Sequence, residues 1–149
     1  MSGTDDDAVR GQVREWLAVA EADRRAALAC LAATPPLAPV AAFHCQQAAE
    51  KLLKGFLVHA GATFRKTHDL RELGDAVAAR FPDLASSTGP MEEWTIWNVA
   101  YRYPTEERPE PEPTAEQLAE ALDIIGRLAA RLRSLAEGPQ RPGRGSKPT

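Results

Sequence analysis

The stretch His44-Cys45-Gln46-Gln47-Ala48-Ala49-Glu50-Lys51-Leu52-Leu53-Lys54, followed thirteen positions later by Thr67-His68-Asp69-Leu70, decides the fold of this chain. At helical spacing, Ala42, Cys45, Ala49, Leu52 and Phe56 recur at intervals of three and four, so they form one apolar stripe. His44, Gln47, Lys51 and Lys54 step along a second face by the same intervals and project in one direction. The stripe predicts a helix packed in a core, and the second face is a candidate site.

Working outward, the periodicity stays helical and no alternating, strand-like segment of useful length appears. Val9, Val13, Trp16, Leu17, Ala20, Ala27, Leu28 and Leu31 predict an amphipathic first helix that stops near Thr34-Pro35-Pro36, where proline removes backbone donors. The second helix is expected from about Pro39 to Ala60, with Gly61 as its left-handed terminator. Thr67 is the expected N-cap of a third helix ending near Phe81-Pro82, with Asp69 in its first turn. Ser86-Ser87-Thr88-Gly89-Pro90 reads as a loop. Trp94, Trp97 and Tyr101 then mark one face of a short fourth helix closed by Pro104. The run TEERPEPEP, Thr105 to Pro113, is a stiff acidic connection. Thr114 with Gln117 forms a capping box, and Leu118, Ala121, Leu122, Ile125, Leu128, Ala129, Leu132 and Leu135 build a long last helix.

These elements predict an all-α, up-and-down bundle of four to five helices over residues 8–136. A flexible acidic segment, 1–7, is expected before it and a disordered basic tail, 137–149, after it. At 149 residues the chain can bury a full core without a disulfide or metal. Cys30 and Cys45 lack metal-ligand spacing and are expected to pack, which favours a reducing compartment. MSGTDDDAVR has no apolar core to serve as a secretory signal, and no apolar run reaches the ~20 residues of a membrane span. A cytoplasmic protein with no membrane association follows as the expectation.

The net charge of −3 hides an asymmetry. From His44 to Arg71 five basic residues face two acidic ones, whereas from Glu92 to Asp123 nine acidic residues face two arginines. This permits a local anion site but not general nucleic-acid binding. Gln47, Lys51 and Lys54, with His44, could meet the oxygens of a phosphate-bearing ligand. The same side chains are also those of an ordinary helix surface, with Glu50 and Lys54 as a stabilising i, i+4 pair. Asn98 and Arg102 are one turn apart and share a face with Thr95, opposite the aromatic stripe; Arg102 could grip a phosphate or serve as a structural ion-pair partner. No nucleophile elbow, phosphate-cradling glycine loop, HExxH or zinc spacing occurs, and no cofactor is called for.

The motifs Phe43 to Lys54, Lys66-Thr67-His68-Asp69-Leu70 and Ala100-Tyr101-Arg102-Tyr103-Pro104, in that order, resemble a HEPN domain over roughly Ala8 to Leu135. The resemblance implies a helical bundle, commonly a homodimer, often encoded beside a minimal nucleotidyltransferase in a toxin-antitoxin-like pair. Ribonuclease members carry an Arg followed by four to six residues and a His. After Arg102 the corresponding positions are Glu107, Arg108 and Pro109, and the surrounding acidity opposes an RNA backbone. The leading expectation is therefore a non-catalytic protein that binds a nucleotide, a nucleotidyltransferase partner, or both, through Gln47, Lys51, Lys54, Asn98 and Arg102. Two alternatives stand beside it. One is a metal-independent ribonuclease using Arg102 with His44 or His68 from another helix. The other is a structural module that recruits a protein.

Overall fold

The computed structural model describes residues 3–97 and 112–138. Among these the protein is all-α: α1 (Gly3–Ala32), α2 (Ala38–His59), α3 (Leu70–Arg80), a four-residue α4 (Ala85–Thr88) and α5 (Ala115–Glu137), with 3-10 turns at Pro82–Leu84 and Gly89–Ile96. The expected basic tail beyond Gly138, the proposed faces at Asn98, Tyr101 and Arg102, and most of the acidic connection lie outside the described residues.

Helix α2 is the centre of the bundle. Its predicted stripe, Ala42, Cys45, Ala49, Leu52 and Phe56, is buried in full. Ala41, Ala48, Leu53 and Leu57 are buried as well, so α2 has core on more than one side. Helix α1 runs antiparallel to it: Asp23 lies beside His44 and Lys51, while Trp16 lies beside Lys54 and Gly55. Helix α5 packs against both. A Cβ added to Gly55 would meet a Leu132 methyl at 2.7 Å, so α2 and α5 approach closely where Gly55 omits a side chain. The α5 core positions Leu118, Ala121, Ile125, Leu128, Ala129 and Leu132 are all buried. Helix α3 covers another side of α2, where Phe56 meets the ring of Phe81 edge to face at 5.4 Å.

Helix ends follow local chemistry. Gly61, at φ 67°, ends α2 with the reciprocal backbone bonds Gly61 N to Val58 O and Ala62 N to Leu57 O, so the expected left-handed terminator is present. The Thr114–Gln117 capping box is also formed, each side chain bonding the other's backbone N–H at 2.8 and 3.1 Å. Thr114→Ala should lower stability by about 1 kcal/mol in urea titrations.

Four expectations are corrected. Helix α1 begins at Gly3, so Asp5 to Asp7 belong to its first turns instead of a separate flexible segment; their carboxylates complement the positive end of the helix dipole. Leu28 is 43% exposed, off the buried side of α1. The N-cap of α3 is Asp69, which accepts from Arg71 N and Glu72 N, while Thr67 accepts only from Asp69 N. Asp69→Ala is therefore expected to cost about 1 kcal/mol and Thr67→Ala less, read by thermal melts. Finally, Ala85 to Thr88 is helical, and Gly89 to Ile96 is a 3-10 turn. In that tighter winding residues three apart eclipse, and Trp94 and Trp97 stack at 5.5 Å with an interplanar angle of 6°.

The two cysteines are free and differ in environment. Burial pushes the Cys45 thiol up to about 12, whereas Cys30 is half-buried. A thiol reagent at neutral pH should modify Cys30 in the folded protein and Cys45 only after unfolding. Two equivalents of rapid reaction under native conditions would contradict this.

Candidate functional site

The polar residues of α2 separate into two connected clusters. In the first, Asp23 of α1 joins two predicted residues: its Oδ1 lies 2.9 Å from His44 Nδ1, and its Oδ2 accepts from Lys51 Nζ. All three remain partly exposed, with Asp23 the most enclosed at 13% of its side-chain surface. In the second cluster, Glu50 Oε1 accepts from Lys54 Nζ at 2.7 Å and lies 2.7 Å from His68 Nδ1. The Glu50 side chain is only 4% exposed and that of Lys54 10%, whereas His68 is 70% exposed on the connection before α3. Lys54 also sits 5.8 Å from the centre of the Trp16 ring, within cation–π reach.

Gln46 and Gln47 continue this polar row toward the start of α2. Gln47 donates to Gln46 Oε1 at 2.7 Å. Gln46 is fully buried, and among the described residues its Nε2 has no hydrogen-bond partner; Glu50 Oε2, one helical turn further on, is likewise buried without one there. Such groups are rare in folded proteins, and each costs on the order of 1–3 kcal/mol when unpaired.

The structure thus brings together His44 with Lys51 and Lys54 with His68, and places Gln47 beside Gln46. The four residues read as one outward face do not share one environment: Lys51 answers to α1, and Lys54 is enclosed and paired along its own helix. Neither ammonium is an unneutralised phosphate anchor, because each already meets a carboxylate. Asn98 and Arg102 lie outside the described residues. Thr95 accepts from Leu70 N at 3.3 Å and ties the 3-10 segment to the start of α3. Near it, Arg65 holds Glu72 through two bonds of 2.7 and 2.8 Å. That hydrogen bonding and the adjacent positive charge keep the exposed Glu72 carboxyl below its usual range.

Asp23, Gln46 and Trp16 are site residues that the sequence reading passed over. For Asp23 a signal exists: Trp16, Ala20, Asp23 and Ala27 are spaced by four, three and four, so this carboxylate falls in register with the α1 core stripe. Gln46 and Glu50 are similarly in register with buried Leu53 and Leu57. A charge in register with a core stripe requires a partner.

Among the described residues no group of three or more His, Cys, Asp or Glu side chains is placed to hold a metal ion. No described helix is long and apolar enough to cross a membrane. Searches of curated proteins and of solved structures found no match. The family profile of the HEPN domain, in contrast, matches residues 13–135 and so takes in most of α1 through nearly all of α5. With an all-α bundle centred on the motif-bearing helix and a profile match across most of its length, the chain belongs to the HEPN domain family.

Proposed function

We propose that this HEPN protein is a non-catalytic binding module that takes a nucleotide on α2, and that it works with a minimal nucleotidyltransferase partner in a toxin-antitoxin-like pair as a homodimer. The observation that carries this reading is the polar row Gln46, Gln47, Glu50, Lys51 and Lys54 on the central helix, of which Gln46, Glu50 and Lys54 are buried in the core. Enclosed ion pairs contribute little net stability, since desolvation offsets their attraction. Stability alone therefore gives no reason to place such a row there, whereas a binding site does. Both members of the Asp23–Lys51 pair and Gln47 reach solvent, so a ligand can meet side chains already held in position.

Thermal shift with ATP, GTP and other nucleotides tests the binding. A ligand at 100 times its Kd should add about 2.7 kcal/mol of stability, several degrees in Tm. No shift with any nucleotide, together with no nucleotidyltransferase recovered by pull-down from the native cell, would remove the proposal. An adjacent reading frame encoding a short nucleotidyltransferase-like protein would support the paired arrangement.

A second reading has its own supporting observation. His44 and His68 each have Nδ1 against a carboxylate, Asp23 and Glu50 respectively. This arrangement orients an imidazole and leaves Nε2 for acid or base work, as a metal-independent ribonuclease with Arg102 requires. RNA cleavage that survives EDTA and disappears in both His44→Ala and Arg102→Ala would favour it over simple binding.

A further inference from the structure

We propose that the nucleotide is recognised through the hydrogen-bonding edge of its base, by Gln46 and Glu50, and not through its phosphates. This rests on the nucleotide-binding reading above and specifies which part of the ligand the site reads. Among the described residues Gln46 Nε2 is an unused donor and Glu50 Oε2 an unused acceptor, both buried. They belong to residues four apart, so the two side chains leave α2 on the same side, one turn from each other. A ligand that offers an acceptor next to an N–H donor satisfies both at once. Every nucleobase carries such a pair on its Watson–Crick edge, whereas a phosphate offers acceptors only.

The charges point the same way. Lys51 is engaged by Asp23, and Lys54 by Glu50. An incoming phosphate at either lysine would have to compete with a carboxylate already in place and would lie close to that second negative charge. An uncharged base edge meets no such opposition. Both side chains are also bonded, through their Oε1 atoms, to residues that reach solvent. Gln46 Oε1 is bonded to the partly exposed Gln47, and Glu50 Oε1 to the exposed His68.

The test uses the full chain and titrates adenosine, guanosine, cytidine and uridine, each against its 5′-monophosphate, by calorimetry or ligand-observed NMR. The expected result is a nucleoside that binds within about tenfold of its monophosphate, with little change in Kd between low and high salt. Gln46→Met, which keeps the shape and removes the amide, should weaken that nucleoside by about tenfold or more; its melting curve shows that the variant is folded. A monophosphate that binds more than about tenfold tighter than its nucleoside would overturn the inference while leaving nucleotide binding intact. So would competition by inorganic phosphate, or a folded Gln46→Met variant with unchanged affinity. Failure of every nucleoside and nucleotide to bind would overturn both readings.

Discussion

Glu50→Leu is expected to destabilise the bundle by about 3–5 kcal/mol, measured by urea unfolding at neutral pH. The substitution leaves Lys54, only 10% exposed in its side chain, without the carboxylate that now neutralises it at 2.7 Å. An enclosed ammonium deprived of its partner loses the attraction that offset its desolvation. The Trp16 ring 5.8 Å away supplies a smaller compensation, on the order of 1 kcal/mol. Glu50→Leu combined with Lys54→Met should recover most of the loss, because an apolar pair of similar volume needs no partner. The coupling between the two substitutions would then exceed about 2 kcal/mol in a double-mutant cycle. Single and double variants of equal stability would mean that the pair is solvated and contributes nothing. The double variant would also serve function: under the base-edge proposal it remains folded yet fails to bind a nucleoside, separating the site from the scaffold.

Phe56→Ala should cost a similar amount, about 3–5 kcal/mol, through a different mechanism. Phe56 is fully buried on α2 and packs edge to face on Phe81 at the end of α3. Truncation removes buried apolar surface and opens a cavity between α2 and the α3 side of the bundle, where the adjacent Leu57, also buried, is too constrained by the helix to fill it. Since a domain of this size is stable by only about 5–15 kcal/mol, either substitution removes a large share of the total. The effect of Phe56→Ala should be independent of pH near neutrality and of salt, in contrast to Glu50→Leu, whose cost rests on charge. A loss below about 1 kcal/mol would show that the α2–α3 contact is loosely packed.

Much of the architecture was legible residue by residue. The stripe Ala42, Cys45, Ala49, Leu52 and Phe56 is the core it was read to be, and the α5 stripe from Leu118 to Leu132 likewise. Gly61 and Thr114 mark helix boundaries through chemistry that lies within a few residues of themselves. The cap of α3 lies two residues past the threonine that spacing favours, because Thr67 and Asp69 are both competent acceptors. The path of the backbone decides which of them faces the free N–H groups. The helicity of Ala85 to Thr88 is hidden because Ser86-Ser87-Thr88, followed by Gly89-Pro90, has weak intrinsic preference; there Thr88 packs closely against Gly74 of α3.

The helical class and the apolar face of each long helix are written in the chain, since they follow from a periodicity of 3.6 residues and from caps that act locally, and the family is written in its motifs. Only the tertiary structure decided the fate of the polar face of α2. A single helix has no means of recording how many neighbours will surround it. Here α1, α3 and α5 all pack on α2, so residues that periodicity assigns to an outer face, Lys54 above all, are enclosed. Enclosure then forces each charge to a partner, Asp23 for Lys51 and Glu50 for Lys54, the first of them supplied by a helix more than twenty residues away in the chain. Among the described residues it also leaves Gln46 Nε2 and Glu50 Oε2 buried and unpaired, a feature that arises from packing and that no spacing rule in the sequence contains.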